Sequence, residues 1–188
     1  LFDIEHPIIL APMAGTTGPE IVAAVSNAGG LGSHGCATLS MEALEQDISA
    51  MAGLTNRPVN LNFFCHDVPL MTEAHHTALL DTLAPHYEAA GVEAPDTMPI
   101  PNFDPFGEGH LEVLLRHPPA VVSFHFGLPD AHAVAALKEA GCKILSSATT
   151  VEEARWLAAR GVDAIIAQGW EAGGHRGVFL ELENDAQV

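Results

Sequence analysis

The chain is poor in four things, and each shortage excludes a class of protein. Basic residues are scarce: 7 Lys and Arg stand against 24 Asp and Glu, a formal charge of −17 over 188 residues. That balance repels a phosphate backbone and an anionic membrane surface, so neither nucleic acid nor membrane is an expected partner. Cysteine is scarce too. Cys36, Cys65 and Cys142 are odd in number and form no CxxC pair, which reads as reduced thiols and not a disulfide framework. Aromatic residues make up only 6% of the chain, so its core must come from Ala, Val, Ile and Leu. No apolar run approaches a membrane span, and no basic segment leads into an apolar one at Leu1. A soluble, cytoplasmic protein is expected.

Several chemical signatures are also missing. There is no GxxxxGK followed by Ser or Thr, and no GxGxxG directly follows the first apolar run, so the usual nucleotide loops are absent there. GxSxG is absent, which removes the common hydrolase elbow. HExxH and CxxC are absent, and Cys65-His66 alone is too small a ligand set for zinc. Chemistry on this chain must lean on a bound organic cofactor.

What is present is regular alternation of short apolar runs with helical patterns. Strands are expected at Ile8–Met13, Leu31–His34, Pro58–Phe64, Ala120–Phe126, Lys143–Ala148 and Ala164–Gln168. Gly18-Pro19 opens a helix with proline at its first position, and Ser40 caps another. A longer helix runs to about Ala90, a short one covers Leu111–Arg116, and Pro129–Ala140 forms another. Thr150-Val151-Glu152-Glu153 predicts a capping box, the Glu153 side chain reaching back to the cap. Residues 91–109, rich in Pro, Asp and Glu, read as an inserted loop. Connections too long for hairpins imply a parallel sheet, either open and doubly wound or part of a (β/α)8 barrel. About six β/α units are visible in a length below the roughly 250 residues of a whole barrel.

Parallel α/β folds bind ligands at the carboxyl ends of their strands. The distinctive residues fall there: Pro12-Met13-Ala14 after the first strand, Asn60 and Asn62 on the third, His125-Phe126-Gly127 after the fourth, Ser146-Ser147 on the fifth, and Gln168 with GWEAGGHRG after the sixth. Taken singly, each has a plain reading as core packing, a turn or a satisfied core histidine. Their convergence is what suits a cofactor pocket.

Four stretches, IILAPMAG, NLNFFCH, VVSFHFGLP and AQGWEAGGHRG, together resemble the nitronate monooxygenase family, also called 2-nitropropane dioxygenase. The order is the same, and the resemblance covers nearly the whole chain. It implies an α/β (β/α)8 barrel, incomplete here, with residues 1–188 forming part of an FMN-binding domain whose last strands and phosphate loops are absent. By motif match, Pro12, Met13 and Ala14 would run beside the flavin ring, Asn62 and Gln168 would hydrogen-bond it, and Gly173 and Gly174 would admit it closely. His175 would be catalytic, and His125 and His175 would bind substrate; no metal is implied.

The implied reaction oxidises alkyl nitronates with dioxygen to carbonyl compounds and nitrite through a flavin semiquinone. The same features admit a flavin reductase taking hydride from a nicotinamide, or a non-catalytic barrel remnant. Taken alone, the 188-residue chain is expected to leave two sheet edges unpaired and to aggregate. Oligomeric state is left open.

Overall fold

The computed structural model describes residues 1–68, 72–96 and 104–180. These fall into two compact units, Leu1–His66 with Phe103–Val188, and Asp67–Asn102. The larger unit carries a parallel sheet of five strands: β1 (Gly32–Gly35), β2 (Val59–Phe64), β3 (Val121–His125), β4 (Lys143–Ala148) and β5 (Ala164–Ala167). Their order in space is their order in the chain. A doubly wound sheet reverses strand order at a switch point, whereas a barrel wall does not, so the sheet is a segment of an α/β barrel. Helices α1 (Pro19–Asn27), α2 (Met41–Leu54), α4 (Glu108–Arg116), α5 (Ala131–Glu139) and α6 (Val151–Ala159) connect its strands.

The expected first strand is the main correction. Ile8–Met13 contributes one bridge, Ile9 to Leu31, in place of a strand. Pro7 and Pro12 flank it without amide hydrogens, so a continued ladder has no donor at either place. Among the described residues the count is therefore five strands and a bridge, not six. Helix starts follow the sequence closely: Pro19 stands in the first turn of α1, and the Ser40 hydroxyl accepts from the Ala43 amide at 3.2 Å. The capping box at α6 forms by half. The Thr150 hydroxyl accepts from the Glu153 amide at 3.1 Å, but the Glu153 carboxylate takes the Thr149 amide and not that of Thr150.

The smaller unit holds α3 (Glu73–Ala90), started by Thr72 and His75 bonding each other's backbone amides, and ended by Gly91 in the left-handed conformation. Of the loop expected over about 91–109, residues 97–103 lie outside the described residues, as does the NDAQV terminus. Among the described residues, no helix is long and apolar enough to cross a membrane.

The two faces of the sheet differ. Leu61, Phe63, Val122, Phe124 and Ile144 pack outward against Val22, Leu44, Leu114 and Leu137 of the helices. The inner face is apolar only near the amino ends of the strands, where Leu31, Val121 and Leu145 meet Phe2 and Ile4. Further along, it turns polar. Asn60 Nδ2 donates to the hydroxyls of Ser33 and Ser123 at 3.0 and 2.9 Å, and Asn62 Nδ2 donates to Ser123 Oγ at 2.9 Å. Strand periodicity explains this, since residues two apart share a face.

Helix α1 lies against β1 with no room between them. A Cβ on Gly32 would sit 2.0 Å from the Val22 carbonyl oxygen. Ser26 adds a stitch, accepting from the Gly32 amide at 3.0 Å and donating to the Pro58 carbonyl at 2.7 Å. Replacing Gly32 by Ala is expected to destabilise the fold by about 3 kcal/mol, the upper range for overpacking. Urea unfolding measures this, and a loss below about 1 kcal/mol would show that the helix can retreat.

Candidate active site

At the carboxyl end of β1 the chain is clamped by Thr17, which is 2% exposed. Its hydroxyl donates to the Met13 carbonyl and accepts from the Met13 amide, both at 3.0 Å. The same oxygen accepts from the Gly35 amide at 3.3 Å. Gly35 has no space for a side chain, since a Cβ would lie 2.6 Å from the Ala14 nitrogen. Pro12 is therefore half-buried while Met13 and Ala14 face outward at the mouth of the sheet. Behind them, buried His34 bonds the Thr17 carbonyl through Nδ1 and Asp47 Oδ2 through Nε2, the latter at 2.8 Å.

Asn62 stands in register with Gly35 on one side and Ser123 on the other. Two residues on, Phe64 is opposite His125. Phe126 then adopts φ 65°, a left-handed conformation that is costly for a side chain of its size. The next carbonyl, of Gly127, accepts from Ser146 Oγ at 2.6 Å, which helps hold the turn. Rings collect here: Phe64 lies 5.2 Å from Phe126 and 5.3 Å from His175, and Phe126 lies 6.0 Å from His175. Cys65 is beside this cluster, but burial pushes its thiol far up, so it is no nucleophile at neutral pH.

The loop after β5 brings His175 to those rings. Gln168 Nε2 donates to the His175 carbonyl at 2.7 Å, and Gln168 Oε1 accepts from the Gly177 amide at 2.8 Å. His125 Nε2 reaches the same carbonyl at 3.0 Å. A carbonyl only accepts, so Nε2 carries the proton, and Nδ1 then accepts from Ser147 Oγ at 3.0 Å. Gly177 is buried against this histidine, where a Cβ would come within 2.5 Å of its Cε1. The ring nitrogens of His175 make no hydrogen bond among the described residues, and the residue is exposed.

All nine expected site residues thus stand at the carboxyl side of the sheet, with two differences of detail. Gln168 spends both polar atoms on its own loop, and His125 spends both nitrogens on Ser147 and the loop. The sequence pattern did not single out Thr17 or the φ of Phe126 as parts of the site, whereas Ser147, read with Ser146 at a strand end, stands beside His125.

A flavin fits this mouth on one observation in particular. A Cβ at Gly173 or Gly174 would meet nothing within 4 Å. Gly174 needs glycine for its φ of 78°, and the space beside Gly173 is open to a ligand.

Comparison with known proteins agrees. The family model for nitronate monooxygenase matches residues 1–187. The chain belongs to the nitronate monooxygenase family. Members of this family are flavin-dependent oxidoreductases. It is 47% identical over 183 residues to the nitronate monooxygenase of Paraburkholderia phytofirmans, covering 95% of this chain and 49% of that one. It is 44% identical to that of Pseudomonas aeruginosa, covering 100% and 54%. The chain thus spans about half the length of these curated relatives. Among solved structures, nitroalkane oxidase from Streptomyces ansochromogenes superposes with a TM-score of 0.83 at 40% identity, covering 96% of this chain and 51% of that one. FabK from Thermotoga maritima matches less well, with a TM-score of 0.65 at 28% identity over 94% of this chain and 45% of that one. The family assignment and the incomplete barrel read from the sequence are both borne out.

Burial pushes the His125 imidazole below its ordinary range; the His175 carbonyl raises it, and the His175 ring lowers it further. The folded state therefore binds this proton more weakly than the unfolded chain does. The stability His125 contributes is present above about pH 6.5 and is lost as pH falls below that value. Nitrogen-detected NMR is expected to show the Nε2–H tautomer and a midpoint below about 6.5. A midpoint at or above that value would contradict the buried, neutral assignment.

Proposed function

We propose that this chain forms the flavin-binding mouth of a nitronate monooxygenase, with FMN as cofactor and an alkyl nitronate and dioxygen as substrates. One observation carries the reading. The backbone of His175 is fixed by two donors on its carbonyl, while its imidazole remains free beside an aromatic wall at the strand ends.

FMN, when bound, supplies electron acceptance and hand-over to dioxygen, the steps that turn a nitronate into a carbonyl compound and nitrite. The chain's own residues do the rest. Pro12, Met13 and Ala14 form the shelf on which the ring rests. Asn62 offers its carboxamide from a fixed position, because both its bonds to Ser123 run through Nδ2. Gln168 contributes by holding the loop whose Gly173 and Gly174 admit the cofactor. His125 lines the mouth with its ring while it holds the His175 carbonyl. Residues 1–188 act as one barrel portion.

His175 then meets the substrate. A free ring nitrogen accepts the α-proton of a neutral nitroalkane, and the resulting N–H donates to the oxygens of the nitronate so formed. Phe64 and Phe126 exclude water from the alkyl side of the substrate. Among the described residues, no hydrogen bond competes for the imidazole.

The decisive variant is His175→Asn, which cannot take a proton but can still donate a hydrogen bond. Turnover of neutral nitroalkane is expected to fall by about 10²–10⁴-fold, the usual worth of a general base. Turnover of preformed nitronate should stay within about tenfold of the parent. Equal losses on both substrates would remove the base role, and a purified protein whose visible spectrum shows no flavin would remove the cofactor. Rapid anaerobic bleaching by NADH, without reaction with nitronate, would point to a nicotinamide-dependent reductase.

A further inference from the structure

The loop that carries His175 is tied at its far end by a buried acid. Glu153 is fully buried, and its two carboxylate oxygens serve different segments. Oε2 accepts from the Thr149 amide at 2.6 Å and the Thr149 hydroxyl at 2.8 Å, at the end of β4. Oε1 accepts from the amides of Phe179 at 2.8 Å and Leu180 at 3.3 Å, beyond the glycine-rich motif. The capping of α6 does not need this carboxylate, because Thr150 performs it. A buried charge is tolerated only when its hydrogen bonds are complete, and here all four partners are donors.

The tie reaches the site by contact as well. The Phe179 ring lies over Gly127, where a Cβ would be 3.3 Å from Cδ2, and stands edge-on to Trp156 at 5.2 Å. Gly127 follows Phe126, whose ring faces His175. Glu153 therefore fixes the end of the loop and backs the strained turn that forms one wall beside the imidazole.

We propose that Glu153 is a positioning residue for His175, acting as an ionised staple between the end of β4 and the far end of the His175 loop. The proposal rests on the reading of His175 as the group that meets substrate. It explains why the side chain is an acid and not its amide. In Glu153→Gln, an N–H₂ group turned toward Phe179 and Leu180 leaves both amides unpaired, and turned toward Thr149 it leaves that amide unpaired while the hydroxyl accepts from it.

The test uses flavin-loaded Glu153→Gln beside the parent protein and His175→Asn. Amide exchange at Phe179 and Leu180 is expected to quicken at least about tenfold, with exchange in β4 unchanged, because the opening is local. The ratio of neutral-nitroalkane to nitronate turnover is expected to shift in the direction seen for His175→Asn, by about tenfold or more, as displacing a catalytic group does. That ratio does not depend on how much enzyme is folded, so a merely structural role would not move it. Phe179→Ala, which keeps its amide on Glu153 but removes the ring that backs Gly127, serves if Glu153→Gln fails to fold and should shift the ratio likewise. Unchanged exchange at the two amides overturns the proposal, as does quickened exchange with an unmoved ratio. If His175→Asn itself leaves both rates as in the parent, the role of His175 falls and the proposal with it, and the exchange data then show a tie that serves no catalysis.

Discussion

The mouth of this sheet depends on a single oxygen, the carbonyl of His175, held at once by Gln168 and His125. A neutral hydrogen bond contributes about 1 kcal/mol net, while ordering one residue of backbone costs about 1–2 kcal/mol. Two bonds on one carbonyl cannot by themselves order an exposed stretch from Gly169 to Arg176. The rest must come from where the loop re-enters the protein: Gly177 buried against His125, and Phe179 and Leu180 on the Glu153 carboxylate. Anchors at both ends leave the intervening side chains exposed and the His175 imidazole unspent. A group meant to bind substrate has to be left in that state.

Beneath the loop, the inner face of the sheet works as a rigid floor. Leu31, Val121 and Leu145 fill its lower layer, and above them Ser33, Asn60, Asn62 and Ser123 bond one another across three strands. Buried polar ladders are costly when incomplete and stiff when satisfied. This one is complete except for Asn60 Oδ1, which has no partner among the described residues. The stiffness reaches the site because Asn62 and Ser123 lie one step before Phe64 and His125 on the same face of their strands. Residue identities two apart on a strand thus decide how firmly the reactive groups are presented.

Much of this was legible in the sequence, and all but one of the failures share one cause. Helix starts at Pro19, Ser40 and Thr150 depend on residues within one turn, so local chemistry settles them. The gathering of Pro12, Asn62, His125 and Gln168 was legible because a parallel α/β chain sends all strand ends to one side. Glu153 carries the signature of a capping box, and yet its carboxylate serves Thr149 and, 26 residues on, Phe179. Nothing local distinguishes the two outcomes. The same holds for Gln168, which reads as a cofactor ligand, and His125, which reads as a substrate ligand, both of which bond the loop. The Ile8–Met13 run failed for a different reason: its hydrophobicity suits a strand, but its prolines remove the donors a ladder needs.

The glycines of the GWEAGGHRG motif show how sequence and structure divide the work. Gly177 is required by the protein itself, since any Cβ would strike the imidazole of His125. Gly174 is required by its backbone conformation. Gly173 is required by neither, for space around it is open and its φ is not left-handed. A residue that costs backbone entropy and answers no demand of its own chain points outward, to whatever the exposed loop must approach. The motif thus sets a glycine with open space around it two positions before the His175 imidazole, and it secures the far end of the loop to the sheet through Gly177. Spacing, not composition, makes it a site.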